Sequence, residues 1–186
     1  MTVTSLVSTA TTLVALLAAV PAVAADYVQA SGSRLAFATR YDGELFTGTF
    51  PGFSTRLSFD PADPAAARLE VDIPLAAADS GNSDRDATLR GADFFNAARF
   101  ASARYTATGV RALGDNRFVA DGTLQLRGVS RPVALTFTWT PGPRPVLKGT
   151  ATVKRLDFGV GGGDWADTKV LPNDTAISTV VHFTAR

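Results

Sequence analysis

The chain has 186 residues, with 18 Lys and Arg against 17 Asp and Glu, and no cysteine. That length suits one domain, the near-zero balance leaves no basic field for nucleic acid, and the missing thiols exclude disulfides and thiolate metal sites. Stability must come from apolar burial and backbone pairing.

The N-terminal run Leu13 to Val20, LVALLAAV, is too short to span a bilayer as a helix. Pro21 and then Ala22-Val23-Ala24, an A-x-A cleavage pattern, follow it. The pattern predicts a signal peptide over 1–24, although no Lys or Arg precedes the apolar run. The expectations are export to the periplasm and a mature domain over 25–186. No second long apolar run follows.

Period-two alternation then dominates. Leu35, Phe37, Thr39 and Tyr41 share one parity, as do Leu57 and Phe59. The pattern continues with Leu69, Val71, Ile73 and Leu75, with Leu124 and Leu126, with Val133, Leu135, Phe137 and Trp139, and with Ile177, Thr179, Val181 and Phe183. Turn signals separate these runs at Asp42-Gly43, Pro51-Gly52, Asp60-Pro61, Gly114-Asp115-Asn116, Gly128 and Pro141-Gly142-Pro143. Many short strands with polar turns predict an all-β antiparallel barrel or sandwich.

Residues 76–98 break the pattern. Ser83-x-x-Asp86 reads as a capping box opening a short helix to Arg90. Gly91 reads as its left-handed end, and Asp93 as the cap of a further turn through Phe94–Ala97. Asp86 and Arg90 are spaced to pair on one helix face, and Asp84 and Arg85 read as a solvated face.

Catalytic patterns are sparse. The single histidine, His182, falls on the polar parity of the last strand, which does not suit a triad. Asp60, Asp63, Asp84 and Asp86 are explained by a proline corner and a helix cap without a metal. DFGVGGGD at 157–164 lacks the third glycine and the following helix of a phosphate loop and reads as a flexible lip or the edge of a sheet. Trp165, directly after it, either plugs the core or closes over a ligand.

What remains is apolar volume: twelve Phe, two Trp and three Tyr. A closed barrel of about eight strands has room inside for packed side chains or for one small ligand, and alternation fits both.

Longer motifs bear on that choice. FTGTFPGFSTRLSFDPADPAAARLEVDI at 46–73, RDATLRGADFFNAARF at 85–100, DGTLQLRGVSRPVALTF at 121–137 and RLDFGVG at 155–161 follow one another in an order and spacing that resemble the YceI-like family of polyisoprenoid-binding, lipocalin-like periplasmic proteins. The resemblance covers the mature chain. It departs at Thr88, where the family commonly has histidine, and at Ala101, where a proline is common. It implies an eight-stranded antiparallel lipocalin-like barrel with a short helical crossover around an elongated apolar pore. The implied ligand is a long-chain isoprenoid, a polyprenyl or isoprenoid quinone tail, or a similar lipid, with no catalytic residue, metal or further cofactor. The implied lining is Phe37, Phe50, Phe53, Phe59, Leu89, Phe94, Phe95, Tyr105, Phe118, Leu126, Leu135, Phe137, Trp139, Phe158 and Trp165. Of these, Phe37, Phe50, Phe59, Phe94, Phe95, Phe137 and Trp139 are expected to share one cavity. Transient membrane contact and a homodimer stay open. The alternatives are an envelope stress or structural barrel that binds no lipid, and a hydrolase using acids near the barrel mouth.

Overall fold

A computed structural model describes residues 24–186; the expected signal peptide lies outside them except for Ala24. The strands are β1 (Ala25–Gln29), β2 (Arg34–Tyr41), β3 (Glu44–Thr49), β4 (Ser54–Phe59), β5 (Arg68–Pro74), β6 (Ser102–Thr108), β7 (Arg111–Gly114), β8 (Arg117–Leu126), β9 (Val129–Thr140), β10 (Val146–Lys154) and β11 (Asp174–Ala185). Every pairing is antiparallel. The ring runs β1-β4-β5-β6-β8-β9-β10-β11 and closes through β1 on β11. The result is the expected eight-stranded closed barrel with one short helix, α1 (Ser83–Arg90). Closure removes the free sheet edges that an open sheet would expose.

Two walls of the barrel are built from broken strands. Phe183–Ala185 of β11 pairs with β1, while Ala176–Val180 pairs with β2. β3 leads through Pro51-Gly52 into β4, so these two form the adjoining wall. β5 leaves the wall at Pro74, and the edge of β3 away from β2 then meets only the isolated bridge Thr49–Asp79 among the described residues. The segment 75–101, including α1, fills the window left between β3 and β6. It is tied in by Leu75 N–H donating to Ala101 O at 3.0 Å.

The alternation predicts the burial. Leu57, Phe59, Leu69, Phe137, Trp139, Val181 and Phe183 are all buried. Tyr41 shares the apolar parity of β2 but is 47% exposed, because β2 there has passed the barrel rim. The hairpin turns at Asp42-Gly43 and Asp115-Asn116 carry two successive positive φ angles, the geometry that matches strand twist.

The crossover differs from its sequence reading. The helix cap is Asn82, whose side-chain oxygen accepts from Arg85 N–H at 2.9 Å; Ser83 is already helical. Asp86 does not pair with Arg90. Its buried Oδ1 accepts from Ser80 N–H at 2.8 Å and Ser80 O–H at 2.5 Å, which pins the loop before the helix. Gly91 is extended rather than left-handed (φ −64°), and the left-handed residue is Asn96 (φ 48°). Phe95 N–H and Asn96 N–H, the amides an Asp93 cap would take, donate instead to Leu89 O at 2.9 Å and Gly91 O at 2.8 Å. Arg85 is half-buried rather than solvated. It donates to Ser80 Oγ and Ser80 O and lies over the Phe46 ring at 4.8 Å.

Candidate ligand cavity

The barrel interior divides into two halves. Inward side chains of β4, β8, β9 and β11 nearest one end form a solid aromatic plug. Phe118 stacks on Phe137 at 5.5 Å, and Phe59 meets both edge-on at 5.1 and 6.0 Å. Trp139 joins Phe59 at 5.2 Å and Phe183 at 5.9 Å, and Tyr27 closes the cluster against Trp139 at 5.3 Å.

The other half, beneath α1, holds a cavity of about 180 Å³. Its walls are almost wholly apolar. Leu35, Phe37 and Phe46 come from β2 and β3; Val71 and Ile73 from β5; Leu124, Leu126, Val133 and Leu135 from β8 and β9; and Ala151, Val153 and Ile177 from β10 and β11. The turn after β3 contributes Phe50, and the crossover contributes Leu75, Leu89, Phe94 and Phe95. The helix therefore presents Leu89 inward while Thr88 is exposed and its hydroxyl donates to Asp84 O at 3.0 Å.

Of the expected lining, Phe37, Phe50, Leu89, Phe94, Phe95, Tyr105, Leu126 and Leu135 surround this cavity. Phe59, Phe118, Phe137 and Trp139 do not, because they fill the plug. Phe53 and Phe158 are buried elsewhere in the core. The single cavity expected for Phe37, Phe50, Phe59, Phe94, Phe95, Phe137 and Trp139 is thus two environments. Trp165 sits outside the main cavity, at the rim. It packs on Phe94 at 5.2 Å and Tyr41 at 6.1 Å, beside a shallow recess with Asp164, Asp167 and Val170.

Two polar residues at the cavity carry its geometry. Tyr105 of β6 lies along the barrel wall, its ring over Gly122 of the neighbouring β8, where a Cβ would collide with it. Its hydroxyl is shared between Ala120 O at 2.9 Å and Val133 O at 3.1 Å. Burial pushes its phenol pKa up to about 12. Arg155 is the one charged residue in the wall and is 4% exposed. Nε donates to Pro172 O at 3.0 Å, Nη1 to Val160 O and Gly161 O, and Nη2 to Trp165 O and Leu171 O, both at 2.7 Å. All five N–H groups of the guanidinium are thereby used. Desolvation lowers its pKa.

Sequence reading missed Arg155. The segment it organises, 155–173, is not a loose lip. It forms 3-10 turns at Arg155–Phe158 and Gly163–Trp165. Gly161 N–H donates to Asp93 O at 2.7 Å, and Arg127 reaches Asp93 O and Phe94 O. The segment and the crossover together roof the cavity. The signal available in the sequence was the RLDFGVG motif itself, an arginine entering a run of apolar residues and glycines.

The YceI-like domain profile matches residues 27–184. A UPF0312 protein of Azotobacter vinelandii is 35% identical over 157 residues, covering 78% of this chain and 82% of that protein. A UPF0312 protein of Shewanella baltica matches to the same extent. Among solved structures, Burkholderia cenocepacia BcnA superposes with a TM-score of 0.78 at 25% identity, over 81% of this chain and 95% of that one. A polyisoprenoid binding domain from Saccharophagus degradans shares the fold, with a TM-score of 0.68 at 19% identity over 88% of this chain and 99% of its own.

Proposed function

The chain belongs to the YceI-like family, and from that premise we propose that it is an exported, periplasmic carrier that holds an isoprenoid or similar lipid chain in the cavity beneath α1. The observation that carries this reading is the cavity itself: about 180 Å³ walled by aliphatic and aromatic side chains, inside a barrel whose other half is solid. A prenyl or acyl tail offers no useful hydrogen bonds. Its affinity comes from leaving water, at about 0.8 kcal/mol per buried methylene, less the cost of ordering the chain. The head group stays at the roof, because the donors of Arg155 are already committed to carbonyls. The polyisoprenoid binding domain of the same fold supports the ligand class.

A hydrolase reading is less well supported. The buried carboxylate of the crossover, Asp86, is occupied by Ser80 rather than directed into the cavity.

Titration of delipidated protein with a fluorescent polyene fatty acid tests the carrier reading. Saturable uptake at one per chain, competed by a prenyl alcohol, is expected; no uptake overturns it. N-terminal sequencing of protein recovered from the periplasm is expected to begin at Ala25 or Asp26, and a retained Met1 overturns the export proposal.

A further inference from the structure

We propose that the pore is blind, and that a floor at the level of Tyr105 and Leu135, closed by the Phe59–Phe118–Phe137 cluster, limits the length of apolar chain it takes in to about seven carbons. This rests on the reading of the cavity as the lipid site. The lining ends at one level on every strand. On β8 it includes Leu124 and Leu126 but not Phe118. On β9 it includes Val133 and Leu135 but not Phe137 or Trp139, and on β11 Ile177 but not Val181 or Phe183.

At that level side chains fill the space over two glycines in the wall. Gly122 leaves just the space that the Tyr105 ring occupies, and Gly149 is covered by Leu135 and Leu147. The two glycines therefore do not widen the pore, because side chains of their own and neighbouring strands fill the space over them. Tyr105 is held there at both ends, by its strand and by its bonds to Ala120 O and Val133 O. Below it the stacked pair Phe118–Phe137 and the edge-on Phe59 leave no passage, with Phe59 1% and Phe137 2% exposed.

The volume sets the scale. About 180 Å³ is close to the roughly 150 Å³ of an engineered apolar cavity that takes up one benzene ring. On that scale a chain end of about seven carbons fills the space. The ligand chemistry is thus a compact terpenoid, or the terminal piece of a longer chain whose remainder lies at the roof.

The test is a calorimetric series on delipidated protein, with straight-chain alcohols from butanol to hexadecanol and prenyl alcohols of one to four isoprene units. Affinity is expected to rise about fourfold per methylene while the chain is being buried and to flatten at about seven carbons. Tyr105→Ala, which opens the space over Gly122, is expected to move that break to chains at least two carbons longer. Leu135→Ala is expected to do the same from the neighbouring position and decides the matter if Tyr105→Ala does not fold. Affinity that climbs at an undiminished factor through hexadecanol and the longest prenyl alcohol overturns the length limit and leaves the lipid reading standing. A break that stays fixed in a folded variant also overturns it. If no alcohol binds at any length, both readings fall together.

Discussion

Tyr105 shows how one residue joins structure to a measurable property. Its phenol is neutral when protonated, and burial raises its folded pKa to about 12 from an ordinary 10.0. The folded state therefore holds this proton more tightly than the unfolded chain. The contribution is fully present below about pH 10 and is lost as pH rises toward 12. Chemical denaturation in steps from pH 8 to 12 is expected to show a fall in stability that shrinks in Tyr105→Phe by about 2 kcal/mol. An unchanged slope contradicts the buried hydroxyl. Gly122→Ala places a methyl inside the Tyr105 ring, and overpacking of this kind costs about 1–3 kcal/mol, read as a lower denaturation midpoint. Neither residue's role was legible from alternation. Tyr105 was recognisable as an inward aromatic, but its partner Gly122 lies on another strand, and register between strands has no sequence spacing to reveal it.

At the scale of elements, α1 and the 155–173 segment roof the cavity, and each depends on one polar residue. Asn82→Ala removes the helix cap and is expected to cost about 1 kcal/mol. Arg155→Met removes five donors and leaves the carbonyls of residues 160, 161, 165, 171 and 172 without them. A loss of at least about 3 kcal/mol is expected. Amide exchange should accelerate across 156–172 well before the barrel strands are affected; uniform acceleration would show that Arg155 braces the whole fold instead. The existence and place of the helix were legible, because a capping residue and a change of period mark it. Its cap was read one residue late, since Asn82 and Ser83 are both good caps and only the geometry chooses between them. The glycines of DFGVGGGD suggested looseness. Their positive φ angles at Gly159, Gly161 and Gly163 instead let the backbone wrap its carbonyls around one guanidinium. That convergence of distant carbonyls leaves no local pattern.

For the whole molecule, alternation identified which side chains face inward, and the family resemblance supplied barrel closure and strand number. Height along the barrel axis was not legible. Inward aromatics on four strands read alike, yet Phe37 lines a cavity, joined by Phe50, Phe94 and Phe95 from the connecting segments, while Phe59, Phe118, Phe137 and Trp139 fill a plug. The difference follows from strand stagger. Each strand enters the ring at its own level, so equal parity does not mean equal depth. The division gives the molecule a stable base that needs no ligand and a roofed half that can hold one. The central claim is that this upper half carries an apolar chain. Its most direct test is native mass spectrometry of gently purified protein beside Ala151→Phe, which places a ring in the cavity and leaves plug and roof untouched. The wild-type chain is expected to carry an apolar molecule, and the filled variant, folded to the same extent by circular dichroism, to carry none. Equal loading of both proteins, or a wild-type chain that neither retains nor takes up any lipid, would contradict the account.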